Sequence, residues 1–241
     1  MKVEIRHRWL FLYASLAVAF FLKDDPVLLI AYVSLVVIGS AIGLLLGPKK
    51  LRAAEHAFRS ESLALLSKRQ FDGLEALAAK QYLLRWFGPG HVLPETKGMA
   101  AAGRCEYNRA VSHFQTALAQ AQDEHLNRIQ TNLARALVQA EQLPAAEVAY
   151  RAILERDEQY PLALAGLGTV LMQQGRDYDA AASYLRSALT GGIARNVEVH
   201  LALAELAIRT GSPDKAQVLE DARRAGADED ALRALASLEV T

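Results

Sequence analysis

The 241-residue chain has a single cysteine, only three methionines and two tryptophans, and no surplus of either charge, since 27 Lys and Arg balance 27 Asp and Glu. One cysteine excludes an internal disulfide and any zinc or iron–sulfur site built on several thiolates. Zero net charge withholds long-range attraction to nucleic acid. The six histidines, His7, His56, His91, His113, His125 and His200, form no H-x3-H or H-E-x2-H pair, so a helical metal site has no local support. Cys105 has no neighbouring histidine to activate it. Gly191-Gly192 lacks the Lys-Ser/Thr of a phosphate loop, and Asp228-Glu229-Asp230 suits the acidic first turn of a helix. No catalytic residue, metal ligand, cofactor or small-molecule substrate is therefore expected.

What the chain has in quantity is apolar sequence at one end. Trp9 to Leu22 is interrupted only by Ser15 and the phenol of Tyr13, and Val27 to Leu46 is uncharged throughout. As a helix the second run is about 30 Å long, the thickness of a bilayer's hydrocarbon core. The first is about 21 Å long and reaches further if Arg6 and Arg8 extend to the headgroups. No small-x-small cleavage pattern follows it, as a signal peptide requires. Lys23-Asp24-Asp25-Pro26 leads straight into the second run, with Asp24 or Asp25 placed to cap it and Pro26 in its first turn. Residues 1–48 are thus expected to form a transmembrane helical hairpin. Lys2, Arg6 and Arg8 precede it and Lys49, Lys50, Arg52 and Arg59 follow it, against Lys23 alone in the turn, so both termini are expected in the cytoplasm. Gly39, Gly43 and Gly47 recur every fourth residue and would let another helix approach, either the first span or a second membrane protein.

Beyond Pro48 the pattern changes to Ala-, Leu-, Gln- and Arg-rich segments with helical periodicity, separated by Gly, Pro or polar breaks. Ala110-x3-Phe114, Ala146-x3-Tyr150, Ala180-x3-Tyr184 and, more loosely, Ala216 recur at spacings of 36, 34 and 36. Such periods mark solenoids of paired helices. One unit reads Leu164-x2-Leu167-Gly168-x2-Leu171, then Gly175, then Ala180-x3-Tyr184, with Ala181 and Ala188 fitting nearly as well if one residue is inserted near Arg176-Asp177-Tyr178. The unit before it carries Leu133-Ala134-x2-Leu137. The unit after it carries Leu203-Ala204-x2-Ala207 and Gly211, with Glu220 where an aromatic is usual. Gly98 and Ala101 stand in register before Ala110 and Phe114.

These motifs resemble the tetratricopeptide repeat (TPR), in which small residues let two antiparallel helices touch while large apolar ones fill the seam. The resemblance spans about residues 55–240. It implies an all-α chain: the two-helix hairpin, a linker helix and degenerate capping repeat over 49–90 (Phe58 to Ser67 with Phe71 to Leu84), and an array of about four repeats over 91–241. Leu232, Leu235 and Leu238 mark a terminal capping helix. The layout is similar to bacterial membrane TPR proteins of haem synthesis and lipopolysaccharide regulation, but lacks the Cys-rich metal domain of the latter. Two-span cytochrome c assembly factors have a long loop where this chain has four residues.

By the same resemblance, the first helices of successive repeats line a groove that holds a protein segment. Its wall would be Arg128, Thr131, Arg135 and Gln139, then Thr169, Met172 and Gln173, then Glu198, Glu205 and Arg209, with Leu133, Leu167 and Leu203 turned into the seam. A chaperone-type carboxylate clamp is not expected, because Asn132 occupies a clamp-like position but Thr131 and Ala165 stand where Lys is needed. Beyond residue 50 the balance is 21 Lys and Arg against 24 Asp and Glu, which disfavours RNA and anionic lipid as partners of the array as a whole. The expected function is a membrane-anchored scaffold that gathers protein partners at the cytoplasmic face of a bacterial inner membrane and performs no reaction. The alternatives are a structural subunit of a larger membrane machine, held by its hairpin, and an enzyme whose site forms only in three dimensions.

Overall fold

The computed structural model describes residues 25–237 together with Val18 and Phe20, except for the side chains of residues 38–46 and of Pro48. The first span and its expected packing against Gly39 and Gly43 lie outside the described residues. An added Cβ at Gly47 would meet open space within the described surroundings. Every described element is a helix, and the chain divides into two compact units, Met1–Leu93 and Pro94–Thr241.

The first unit is built on one long helix, α1 (Pro26–Ser67). Of the two candidate caps, Asp24 and Asp25, it is Asp25 that serves: its carboxylate accepts from the amides of Val27 and Leu28 at 3.0 and 3.1 Å, and Pro26, which has no amide proton to satisfy, occupies the first turn. Among the described residues, no helix is long and apolar enough to cross a membrane.

The segment expected as one helix from Phe71 to Leu84 is two, α2 (Phe71–Ala79) and α3 (Tyr82–Phe87). The Arg85 guanidinium donates to the Ala79 carbonyl at 3.2 Å, closing the end of α2. Six residues of unbroken helix would turn Ala78 and Leu84 well apart around the axis. The break brings both into one cluster with Phe58 and Val92, flanked by Leu51, Leu77 and Leu93.

In the second unit, helices pair in order: α4 (Val92–Gly103) with α5 (Tyr107–Leu118), α6 (Asp123–Gln139) with α7 (Leu143–Leu154), α8 (Pro161–Gln173) with α9 (Tyr178–Thr190), and α10 (Val197–Arg209) with α11 (Lys215–Ala225). The short α12 (Glu229–Ser237) follows, with Leu232 buried. Ala110, Phe114, Leu133, Ala134, Ala146, Tyr150, Leu167, Leu171, Leu185 and Leu203 belong to one continuous core, as stacked repeats require.

A backbone device repeats with the helices. Two residues after the end of α1, α4, α6, α8 and α10 the chain enters the left-handed region, at Arg69, Cys105, Glu141, Gly175 and Gly211. At each, the next amide donates back five residues: Gln70 to Leu65, Glu106 to Ala101, Gln142 to Leu137, Arg176 to Leu171 and Ser212 to Ala207. This is the Schellman motif, which satisfies carbonyls that the helix end leaves open. It appears after α1 as well, so the degenerate first pair uses the same turn as the rest.

Only two of the five positions are glycine, and the left-handed conformation costs any other residue about 1–2 kcal/mol. Glu141→Gly is therefore expected to raise stability by about 0.5–1 kcal/mol and Gly175→Ala to lower it by about as much, after allowing for glycine's extra chain entropy. Thermal melts followed by helical circular dichroism check both. A lower melting temperature for Glu141→Gly would count against strain at the turn.

Turn length also sets which face of each second helix is buried. Three residues separate α4 from α5 and α6 from α7, but four separate α8 from α9 and five separate α10 from α11. In the third pair the inserted residue is Asp177, itself at φ 48°, whose carboxylate caps α9 at the Ala180 amide, 3.2 Å away. The buried pair there is accordingly Ala181 and Leu185, while Ala180 and Tyr184 are half-buried. In the fourth pair the shift is two residues: Ala216 is exposed, Val218 packs on the core, and Ala222 is fully buried. The apparent substitution of Glu220 for an aromatic is thus a displacement, and Ala222 fills the seam.

Candidate partner-binding face

The first helix of each pair is held by its seam residues. Leu133, Leu167 and Leu203 are buried as expected, and α6 touches α8 while α8 touches α10. The first helices therefore stack into a wall. On its open side, residues spaced three, four and seven apart form one stripe per helix.

Of the ten expected wall residues, Arg128, Arg135, Gln139, Gln173, Glu198 and Arg209 are exposed, and Thr169 and Glu205 are half-buried. Thr131 and Met172 are buried instead. The Thr131 hydroxyl donates to the Asn127 carbonyl at 2.7 Å and the Thr169 hydroxyl to Ala165 at 3.0 Å, so both are turned onto their own helices. Met172 joins the hydrophobic core. Thr131 on α6 and Met172 on α8 are legible as wall positions by spacing alone. Whether they sink into the seam depends on how closely the next first helix approaches.

The charges are less open than their sequence positions imply. Arg128 forms an ion pair with Glu95 of α4, whose side chain is only 4% exposed. Arg209 donates to Glu205 one turn back at 2.6 Å, and this hydrogen bond raises the guanidinium pKa further, with the Tyr178 hydroxyl a lesser partner. Among the described residues no ion pair engages Arg135 or Glu198. The wall thus presents one open cation in the second pair and one open anion in the fourth, with Leu162 exposed on α8 between them. Glu95 and Leu162 were missed from the sequence. Glu95 could have been found, because it stands 36 residues before Thr131 in the same repeat frame.

Behind the wall, Gln130 donates to the Ala149 carbonyl at 3.0 Å and accepts from Arg156, which also donates to Asn127 at 3.0 Å. This ties α6 to the helix behind it and to the loop before α8. Burial pushes the phenol of Tyr150 up to about 12. A raised acid pKa means that the folded state holds its proton more tightly. The corresponding stability is complete below the unfolded value near 10 and is lost as pH rises toward 12. Among the described residues, no group of three His, Cys, Asp or Glu side chains is placed to hold a metal ion.

Stacked helix pairs, a shared Schellman turn and a wall of first helices define an α-solenoid of the TPR type. A model of the tetratricopeptide repeat family matches residues 131–190 and 166–230. No curated protein matches the chain in sequence. Similar solved structures include Pseudomonas aeruginosa PilF, at 17% identity and a TM-score of 0.66, covering 77% of this chain and 82% of that one. They also include YrrB, described as a TPR protein with an unusual peptide-binding site, at 17% identity and a TM-score of 0.55, covering 75% and 90%. MamA of Desulfovibrio magneticus RS-1 is similar at 15% identity and a TM-score of 0.54, covering 71% and 93%. At these identities the likeness concerns the fold.

Proposed function

We propose that the chain is a membrane-anchored scaffold whose TPR wall gathers protein partners at the cytoplasmic face of a bacterial inner membrane, without catalysing a reaction. The observation that carries the scaffold is the wall itself. Its first helices are stacked and rigidly seamed, and they leave Arg135, Gln139, Leu162, Gln173 and Glu198 exposed. Such a surface suits a helix or extended segment with an acidic group beside an apolar one. The anchor is supported by the uncharged run Val27–Leu46 and by the exposure of Val27, Leu28, Ile30, Val33, Leu35 and Val37 along α1. Water is a poor solvent for such a row, and bilayer hydrocarbon is a good one. The cytoplasmic orientation is supported by the Lys and Arg on either side of residues 9–46. Gly39, Gly43 and Gly47 are proposed as the face on which a neighbouring span packs.

Two measurements test the anchor. A chain beginning at Leu51 is expected in the soluble fraction while the full chain sediments with membranes. Sedimentation of the shortened chain with membranes that hold no other protein would remove the anchor. Alkaline phosphatase fused after Thr241 is expected to be inactive, and periplasmic activity would reverse the orientation.

A further inference from the structure

The first unit ends in an exposed apolar cluster that its core does not use. Tyr82, Trp86 and Phe87 of α3 are 68%, 53% and 64% exposed, and Leu83 is also exposed. Arg85 lies over the Tyr82 ring, 5.8 Å from its centroid. Only Leu84 of this helix is buried, in the cluster with Phe58 that Leu51 borders. A six-residue helix thus offers four large apolar side chains outward and one inward. Large exposed aromatics in such density mark a surface that is covered in use.

Position and charge identify the cover. Along α1, Leu51 lies about 8 Å and Phe58 about 18 Å past Leu46 at helical rise. With Val27–Leu46 across the hydrocarbon, the packing of Leu84 between Leu51 and Phe58 sets α3 about 8–18 Å past it, just outside a headgroup layer about 5–8 Å deep on each side. An ordinary tilt of the span lowers it further.

The charge of the chain is segregated in the same sense. Residues 47–93 hold eight Lys and Arg against four Asp and Glu, and none of those acids lies between Lys80 and Leu93. Residues 94–241 hold 15 against 20. Lys49, Lys50 and Arg52 are exposed at the start of this basic segment, and Glu55 is occupied by Arg59 at 2.8 Å. Tryptophan, tyrosine and phenylalanine flanked by arginine and lysine are the side chains that favour the boundary between headgroups and acyl chains.

We propose that α3 is a second, interfacial membrane contact: Tyr82, Leu83, Trp86 and Phe87 insert among the headgroups of an anionic leaflet, with Arg85, Lys49, Lys50 and Arg52 on its phosphates. This deepens the anchor proposed above and rests on it for the height of α3 above the bilayer. The contact fixes the height and rotation of α1 at the surface, which apolar spans alone leave free.

The test uses the full chain carrying Trp9→Phe, so that emission reports Trp86 alone, incorporated into vesicles of phosphatidylglycerol and phosphatidylcholine. Trp86 is expected to be shielded from acrylamide in the water and quenched by lipid carrying a nitroxide near the headgroup. Shielding should fall by about twofold or more in Arg85→Glu, or in vesicles of phosphatidylcholine alone. Flotation of the chain with vesicles should be unchanged by Arg85→Glu, because it depends on residues 1–48.

A floating chain whose Trp86 is fully open to acrylamide would overturn the interfacial contact and leave the anchor standing. Flotation that needs phosphatidylglycerol and is lost on Trp86→Ser with Phe87→Ser would uphold the contact and overturn the anchor. No flotation on either lipid would overturn both. Shielding of Trp86 that is the same with and without vesicles would assign the cluster to a protein contact and also overturn the proposal.

Discussion

Gly166→Ala is expected to destabilise the array by about 2 kcal/mol, despite placing the best helix former in the middle of a helix. A Cβ at this position would lie 2.2 Å from Cζ and 2.4 Å from Cε1 of Tyr150, in the second helix of the preceding pair. Tyr150 is almost fully buried in the shared core, so its ring cannot swing into water. Either α7 or α8 must move by more than an ångström, and overpacking of this kind typically costs about 1–3 kcal/mol. The roughly 1 kcal/mol that alanine returns in helix propensity offsets only part of it. The melting temperature of the full chain should fall by about 4–8 °C.

The cause is isolated by a second substitution. Tyr150→Leu removes the ring atoms that the new methyl strikes, so Gly166→Ala made in that background should be neutral or stabilising. If the two substitutions were simply additive, the close contact would not be the reason for the glycine.

Arg128→Glu is expected to cost about 2 kcal/mol or more, because it sets a second carboxylate against Glu95 rather than merely reversing a solvated charge. Glu95 has almost no exposure, so water cannot replace the guanidinium as its partner. Adding Glu95→Gln should recover most of the loss, and urea unfolding of the two single variants and the double variant measures the coupling. Sequence spacing alone places Arg128 and Arg135 as equivalent exposed cations, whose joint reversal would leave stability nearly unchanged. The ion pair separates them. Arg135→Glu should leave the melt within about 0.5 kcal/mol of the parent, as exposed charges usually do. It should also weaken capture of a partner by about tenfold for each 1.4 kcal/mol of coupling lost. Unchanged capture by folded Arg135→Glu would move the binding surface off the first-helix wall.

The sequence by itself determined the helical class, the repeat period, a cap at Asp24 or Asp25 and the seam leucines of three successive pairs, because each is written in the spacing of residues along one helix or from one repeat to the next. Gly168 was legible for the same reason: it stands in a motif, and its Cβ would strike Leu185 and the Ala181 carbonyl of its own pair. Gly166, two residues earlier, carried no such signal, since the ring it accommodates belongs to the pair before. The buried faces of α9 and α11 were misplaced by one and two residues because turns of four and five residues rotate a helix about its axis without altering its composition.

The same limit applies to charge and to the aromatics. Spacing tells which face a side chain is on, but only packing decides that Thr131 and Met172 sink into the seam, that Glu95 neutralises Arg128 from 33 residues away, and that Trp86 and Phe87 remain outside a core able to bury them. Hydrophobic periodicity is a property of one helix, whereas burial depends on the distance to the next, and that distance is set by side chains on both.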